Sequence, residues 1–192
     1  MDSIGKRTFL LGFILAAVTV IACGAWQKAG GQKSVADSKM PPAEPAALWT
    51  YITETDSYQQ WKPYPAKGKE GLYAALERGR TPAMNPHGAY MKFFSNEIAL
   101  RGAQQDGGQP MPEGTILVME NYDKDKKTLL SVTVMYKIKE FDPEHGDWFW
   151  GIYAPDGKAG DSGKVKSCTD CHVLKKSHDW IFAGGSGHGH HE

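Results

Sequence analysis

The sequence predicts a mainly β, α+β domain: an antiparallel β-sheet with a few accessory helices. Three observations lead there. Leu130, Val132, Val134, Tyr136 and Ile138 alternate with Ser131, Thr133, Met135, Lys137 and Lys139, the period of two of a strand buried on one face. Aromatic-dense runs at residues 90–95 and 148–153 flank that strand, and turn-forming residues separate all three. Helical spacing of apolar residues is confined to short stretches, most clearly before Asp56.

Taken in order, the chain opens with Lys6 and Arg7 ahead of an apolar run over residues 9–21. A membrane span needs about twenty such residues, so this run suits the core of a signal peptide over residues 1–22. It ends in Val20-Ile21-Ala22-Cys23-Gly24, which resembles a bacterial lipobox, with Cys23 the lipidated first residue of the mature chain. Residues 23–45 are rich in Gly, Ala, Lys, Ser and Pro and read as a flexible tether. The expected location is therefore the periplasmic side of a bacterial membrane, anchored through lipid.

The folded body is expected over residues 46–183. Leu48, Trp49, Tyr51 and Ile52 lie at helical spacing, residues 61–65 are rich in turn formers, and residues 72–76 suggest one more helical turn. Residues 90–95 read as a strand, 96–103 as a short helix or turn, 104–114 as a loop and 115–122 as a strand. Asn121, Asp123 and Asp125 supply turn chemistry before the alternating strand, whose lysines 137 and 139 lean towards solvent. A turn at 142–146 leads into the strand at 148–153, and residues 155–163 read as a loop. The result is an antiparallel meander of about four strands. Residues 184–192, with His188, His190 and His191, form a polar Gly/His tail, more simply disordered than metal-binding.

Charge excludes one class of partner. The chain carries 22 basic and 22 acidic residues, and loss of Asp2, Lys6 and Arg7 with the signal peptide would leave 20 and 21. Nucleic-acid binding needs a clustered basic excess, which is absent.

Cys168-Thr169-Asp170-Cys171-His172 is the most specific motif. This spacing suits covalent attachment of one haem c: two thiols add to the porphyrin vinyl groups, and His172 binds the iron on its proximal side. A redox dithiol would sit in a βαβ setting, which is not visible, and a zinc site needs four ligands, whereas only His178 stands near to join His172. Small electron carriers of this class usually place the motif early and a methionine ligand later. Here Met84, Met91, Met111, Met119 and Met135 all precede it, which favours an open distal face that takes small molecules. Helical cytochromes c′ also carry the motif late, but the β-patterned middle argues against a four-helix bundle.

With these motifs in hand, the chain resembles the cytochrome P-460 family and its gas-binding relatives, the cytochromes c′-beta. The resemblance runs from about residue 46 to residue 182: Leu48-Trp49-Thr50-Tyr51-Ile52 with Tyr58 and Trp61, then His87-Gly88-Ala89-Tyr90, Asn96-Glu97-Ile98-Ala99-Leu100, Pro112-Glu113-Gly114-Thr115-Ile116 and the terminal motif. It implies a β domain with accessory helices, often dimeric, holding one haem. Enzymatic members oxidise hydroxylamine with a lysine joined to the porphyrin edge. The c′-beta relatives bind nitric oxide at five-coordinate haem under phenylalanines. On that resemblance Lys92 is the first cross-link candidate, ahead of Lys137 and Lys139, and Phe93 or Phe94 is a candidate cap for the distal pocket. Glu97, Glu120 and Asp161 are candidate proton relays. His87 and His145 are expected to serve loops.

Two functional classes follow. One is an exported haem protein that oxidises hydroxylamine or binds nitric oxide, a small nitrogen-containing ligand or substrate. The other is a lipid-anchored, six-coordinate cytochrome c passing electrons to a periplasmic partner. A homodimer is compatible with either.

Overall fold

A computed structural model of the chain describes residues 39–64, 72–74, 87–104 and 109–182. These lie within one compact unit, Ser34–Glu192. The signal peptide, Cys23, Met84 and the histidine tail lie outside the described residues. Among the described residues no helix is long and apolar enough to cross a membrane.

Pro45 opens α1 (Pro45–Thr50), where its fixed φ suits a first helical turn and its missing N–H costs nothing. The chain continues as a π-helical turn, Tyr51–Thr55, and a 3-10 turn, Tyr58–Gln60. Leu48, Tyr51 and Ile52 form the buried stripe that the spacing predicted. The body begins earlier than residue 46, however. Tyr136 donates to the Pro41 carbonyl at 2.9 Å and Tyr153 to the Pro45 carbonyl at 2.9 Å. Two phenols thus tie the proline-rich segment down, so the tether boundary at residue 45 is too late.

Among the described residues, six antiparallel strands pair in sequence order: β1 (Leu72–Ala74), β2 (Tyr90–Ser95), β3 (Ile116–Tyr122), β4 (Leu129–Lys137), β5 (Trp148–Tyr153) and β6 (Ala159–Gly163). Between β2 and β3 lies α2 (Glu97–Ala103), started by the Asn96 side chain, whose carboxamide oxygen accepts from Ala99 N–H at 2.9 Å. The same carboxamide donates to the Gly114 carbonyl and accepts from Ile116 N–H, so a single buried side chain joins helix start, loop and strand. After β6 come α3 (Lys166–His172) and a 3-10 segment, Val173–His178.

Two expected non-strands are strands. The helical turn expected over residues 72–76 is a strand at Leu72–Ala74, because the edge of β2 pairs Leu72 with Lys92 and Ala74 with Tyr90. Ala159–Gly163 holds few strand-forming residues and is mostly exposed, so only its ladder with β5 identifies it. The meander therefore has two more strands than the patterning suggests.

Both faces of the sheet are covered, each by its own core. One face carries Phe94, Ile116, Val118, Val132, Val134, Tyr136, Phe149 and Tyr153, packed under α1 and the turns that follow it. The other carries Phe93, Leu117, Trp148 and Trp150 with Ala99, Val165, Cys168, Trp180 and Ile181. Coverage on both sides corrects the reading of β4. Lys137 is buried rather than solvent-facing, while Leu130, the first member of the apolar alternation, is 47% exposed.

Candidate haem site

On α3, Cys168 and Cys171 stand three residues apart and His172 four from Cys168, so all three share one side of the helix. Cys168 is buried and Cys171 half-buried, and neither is in a disulfide among the described residues. Burial pushes the Cys168 thiol up to about 11, which keeps it protonated and uncharged.

The His172 ring is fixed by the chain that follows it. Its Nδ1 lies 2.6 Å from the Trp180 carbonyl oxygen. A carbonyl only accepts, so Nδ1 carries the proton and Nε2 carries the lone pair, as a metal-binding imidazole requires. That carbonyl is held by an elaborate local structure. Asp179 and Trp180 both adopt left-handed backbone, with φ of 49° and 66°. Such residues cost about 1–3 kcal/mol each unless their surroundings hold them. Here the Asp179 carboxylate accepts from Lys137 Nζ at 2.7 and 2.8 Å and from Met111 N–H at 2.7 Å. The Trp148 indole donates to the Asp179 carbonyl at 3.0 Å, and Trp180 N–H donates to the Lys175 carbonyl at 2.8 Å.

Among the described residues, three rings surround His172. Trp150 and Phe182 meet it edge-on, with centroids 4.6 and 5.0 Å away, and His87 lies at 6.4 Å. Trp150 is almost fully buried, yet its indole nitrogen has no hydrogen-bond partner among the described residues. An unpaired buried donor next to a tautomer-fixed imidazole and the uncharged Cys168 thiol fits a haem, whose carboxylates are acceptors. No three His, Cys, Asp or Glu side chains gather as a metal cluster among the described residues.

Side-chain parity sorts the other candidates. Cys168 packs with Phe93, whereas Phe94 belongs to the opposite core. Phe93 is therefore the phenylalanine on the attachment face. Lys92 is exposed and its Nζ lies 4.9 Å from the Phe94 ring centroid, on the far side of the sheet from His172. This speaks against Lys92 as a cross-link to the porphyrin. Lys139 is exposed as well. Lys137 is on the attachment face, but its amine is committed to Asp179.

Of the carboxylates, Glu97 is exposed and pairs with Arg101. Glu120 is buried on the α1 face, accepting from Tyr58 at 3.0 Å and Tyr122 at 2.7 Å. Asp161, although exposed, is close enough to Cys168 to raise its thiol further. Met119 and Met135 pack against the attachment-face core, and Met111 belongs to it. His145 packs on Trp180 and pairs with Asp142, a structural role like the one its turn suggests.

His87 does more than serve a loop. Its Nδ1 lies 3.0 Å from the Asn121 carboxamide oxygen. The Asn121 nitrogen faces the Met119 and Ser131 carbonyls, which fixes the oxygen as the end that meets His87. Gly88 makes this docking possible, because a Cβ there would collide with the Tyr122 backbone. His87-Gly88 was legible as a motif, but its target was not. Asn121 reads as a turn residue, and the β2–β3 pairing, with Tyr90 opposite Tyr122 and Gly88 against the Tyr122 backbone, brings it to His87.

A family model described as Cytochrome P460, the P-460 family of the sequence resemblance, matches residues 55–183, more than half of the chain. Among curated proteins nothing matches.

Proposed function

The chain belongs to the cytochrome P-460 family, and on that premise we propose an exported monohaem cytochrome whose haem iron binds nitric oxide. The family makes it a c-type haem protein. The finer reading rests on one observation: His172 presents an Nε2 lone pair, fixed by the Trp180 carbonyl, on the same side of α3 as the Cys168 and Cys171 sulfurs. When bound, the haem supplies an iron centre that takes small nitrogen species and exchanges single electrons.

Each residue then has a task. Cys168 and Cys171 would hold the haem by adding their S–H bonds across its two vinyl groups, becoming neutral thioethers, which suits the buried position of Cys168. His172 Nε2 would hold the iron, and the Trp150 N–H would be available to an acceptor of the prosthetic group. Phe93, Met119 and Met135 keep water from that face. Nitric oxide binding is favoured over hydroxylamine oxidation because Lys92 faces away and Lys137 is held by Asp179. Lipid attachment at Cys23, a periplasmic electron partner and a homodimer belong to the same proposal.

The test uses the full chain matured with haem. Adding carbon monoxide to the reduced protein is expected to shift its absorption spectrum. Mass analysis should find haem on one peptide only, containing residues 168–172. A reduced spectrum indifferent to carbon monoxide sinks the gas-binding reading in favour of electron transfer. A second haem-bearing peptide with a lysine turns it towards hydroxylamine oxidation.

A further inference from the structure

We propose that His87 is the second axial ligand of the iron, a displaceable imidazole that a small molecule must push aside to bind. The inference rests on the haem reading above and adds a gate to it.

Three features of the chain carry it. The first is distance. An imidazole nitrogen binds a transition metal at about 2 Å, and the ring centre lies roughly 1.1 Å further on, so two imidazoles sharing one ion have centroids about 6.3 Å apart. The His87 and His172 centroids are separated by 6.4 Å, with ring planes inclined at 58°. Trp150 and Phe182, which pack edge-on against His172, sit closer at 4.6 and 5.0 Å.

The second is protonation geometry. Asn121 offers its carboxamide oxygen to His87 Nδ1, because its nitrogen is committed to backbone carbonyls. Nδ1 is then the protonated nitrogen and Nε2 carries the lone pair. His87 thus has the same tautomer as His172, each anchored through Nδ1 by an acceptor that the fold supplies. In this tautomer Nε2 has no proton to donate to a bound gas, which argues for ligation over distal hydrogen bonding.

The third is the investment in that anchor. Asn121 is fully buried, and its nitrogen also reaches Ser131 Oγ at 3.1 Å and Thr133 Oγ1 at 3.3 Å. Gly88 lets the chain lie directly on Tyr122, so His87 arrives at Asn121 through tight backbone contact. A side chain serving only a loop needs neither. The attachment-face methionines are the rival donors, and their spectra differ from those of an imidazole.

The experiment compares the haem-loaded full chain with its His87→Gly variant. In the oxidised wild type, electron paramagnetic resonance and the near-infrared charge-transfer band are expected to report low-spin iron with two imidazoles. His87→Gly should become high-spin, and added imidazole should restore the low-spin signal, which also shows that the variant is folded. Carbon monoxide should bind the reduced variant at least tenfold faster than the wild type. A high-spin wild type that binds carbon monoxide overturns the gate and leaves the gas-binding reading standing. A methionine-type band, or a variant that stays low-spin without imidazole, also overturns it. Two-imidazole iron that carbon monoxide reaches in neither protein upholds the ligand and sinks the gas-binding reading.

Discussion

The two faces of one sheet are built to different rules. Under α1, side chains such as Ile116, Val118, Val132 and Phe149 are at most 2% exposed, and buried phenols find acceptors in Glu120, Pro41 and Pro45. That face is closed by its own atoms. The opposite face has partly exposed methionines, an indole N–H without a partner among the described residues, two cysteines and two left-handed residues. One side is closed by its own hydrogen bonds, while the other leaves a buried donor that its described neighbours do not satisfy.

The largest effect should come from the thiols. Cys168→Ala combined with Cys171→Ala is expected to abolish haem retention on a denaturing gel while leaving the far-ultraviolet β signal in place. The α1-face core contains neither residue, so the sheet keeps half its support. Covalent haem surviving in the double variant, detected by peroxidase staining, would break the comparison at its root.

A matched pair sharpens it further. Lys137→Met leaves the Asp179 carboxylate buried without its cation, a loss of about 3–5 kcal/mol. Phe149→Ala empties part of the α1-face core at a similar cost of about 3–5 kcal/mol. Urea titration should therefore rank them together. Only Lys137→Met should also shift the reduction potential, because Asp179 holds the turn whose next carbonyl accepts from His172. Equal potentials in both variants would mean that the turn keeps its shape without the ion pair.

How much was legible in the sequence follows the same division. The α1 face could be read almost entirely, since its pattern is hydrophobic periodicity within single elements: the stripe of Leu48, Tyr51 and Ile52, and alternation from Val132 to Tyr136. The Cys168–His172 run was legible as a motif because its five residues are contiguous. What surrounds it was not, because each partner comes from another element. Trp180 reaches His172 from eight residues on, Asp179 meets Lys137 across 42, and His87 meets Asn121 across 34. Lys137 could not be placed, since period-two reasoning gives a polar position to solvent, and here a second layer covers it. Edge strands were missed for a related reason: β6 is identified by backbone pairing, not by buried side chains.

Asn96 links the two faces and should show an intermediate effect. Replacing it with Ala removes the α2 cap and leaves Ile116 N–H and the Gly114 carbonyl without that partner. About 2 kcal/mol should be lost, read as a lower urea midpoint, with the haem spectrum unchanged. A spectral change would show that α2 positions the attachment face as well.

The smallest effect is electrostatic and belongs to the α1 face. Burial, then the Glu120 carboxylate, pushes the Tyr122 phenol up to about 12, and burial raises Tyr136 to about 12. Tyr58 and Tyr153 are pushed up further, again chiefly by burial. These groups stay protonated in the folded chain while their unfolded counterparts, with an ordinary value of 10.0, release protons. Their contribution is therefore complete below pH 10 and drains away as pH rises towards 12. Urea midpoints measured upward from pH 8 should stay level and then fall, and Tyr136→Phe should make the fall shallower because one titrating group is gone. Tyr122 is half-exposed, so solvent screens its interaction with Glu120 and Tyr122→Phe should change the slope less. An alkaline fall identical in wild type and both variants would assign the pH dependence to the attachment face and reverse the contrast between the two.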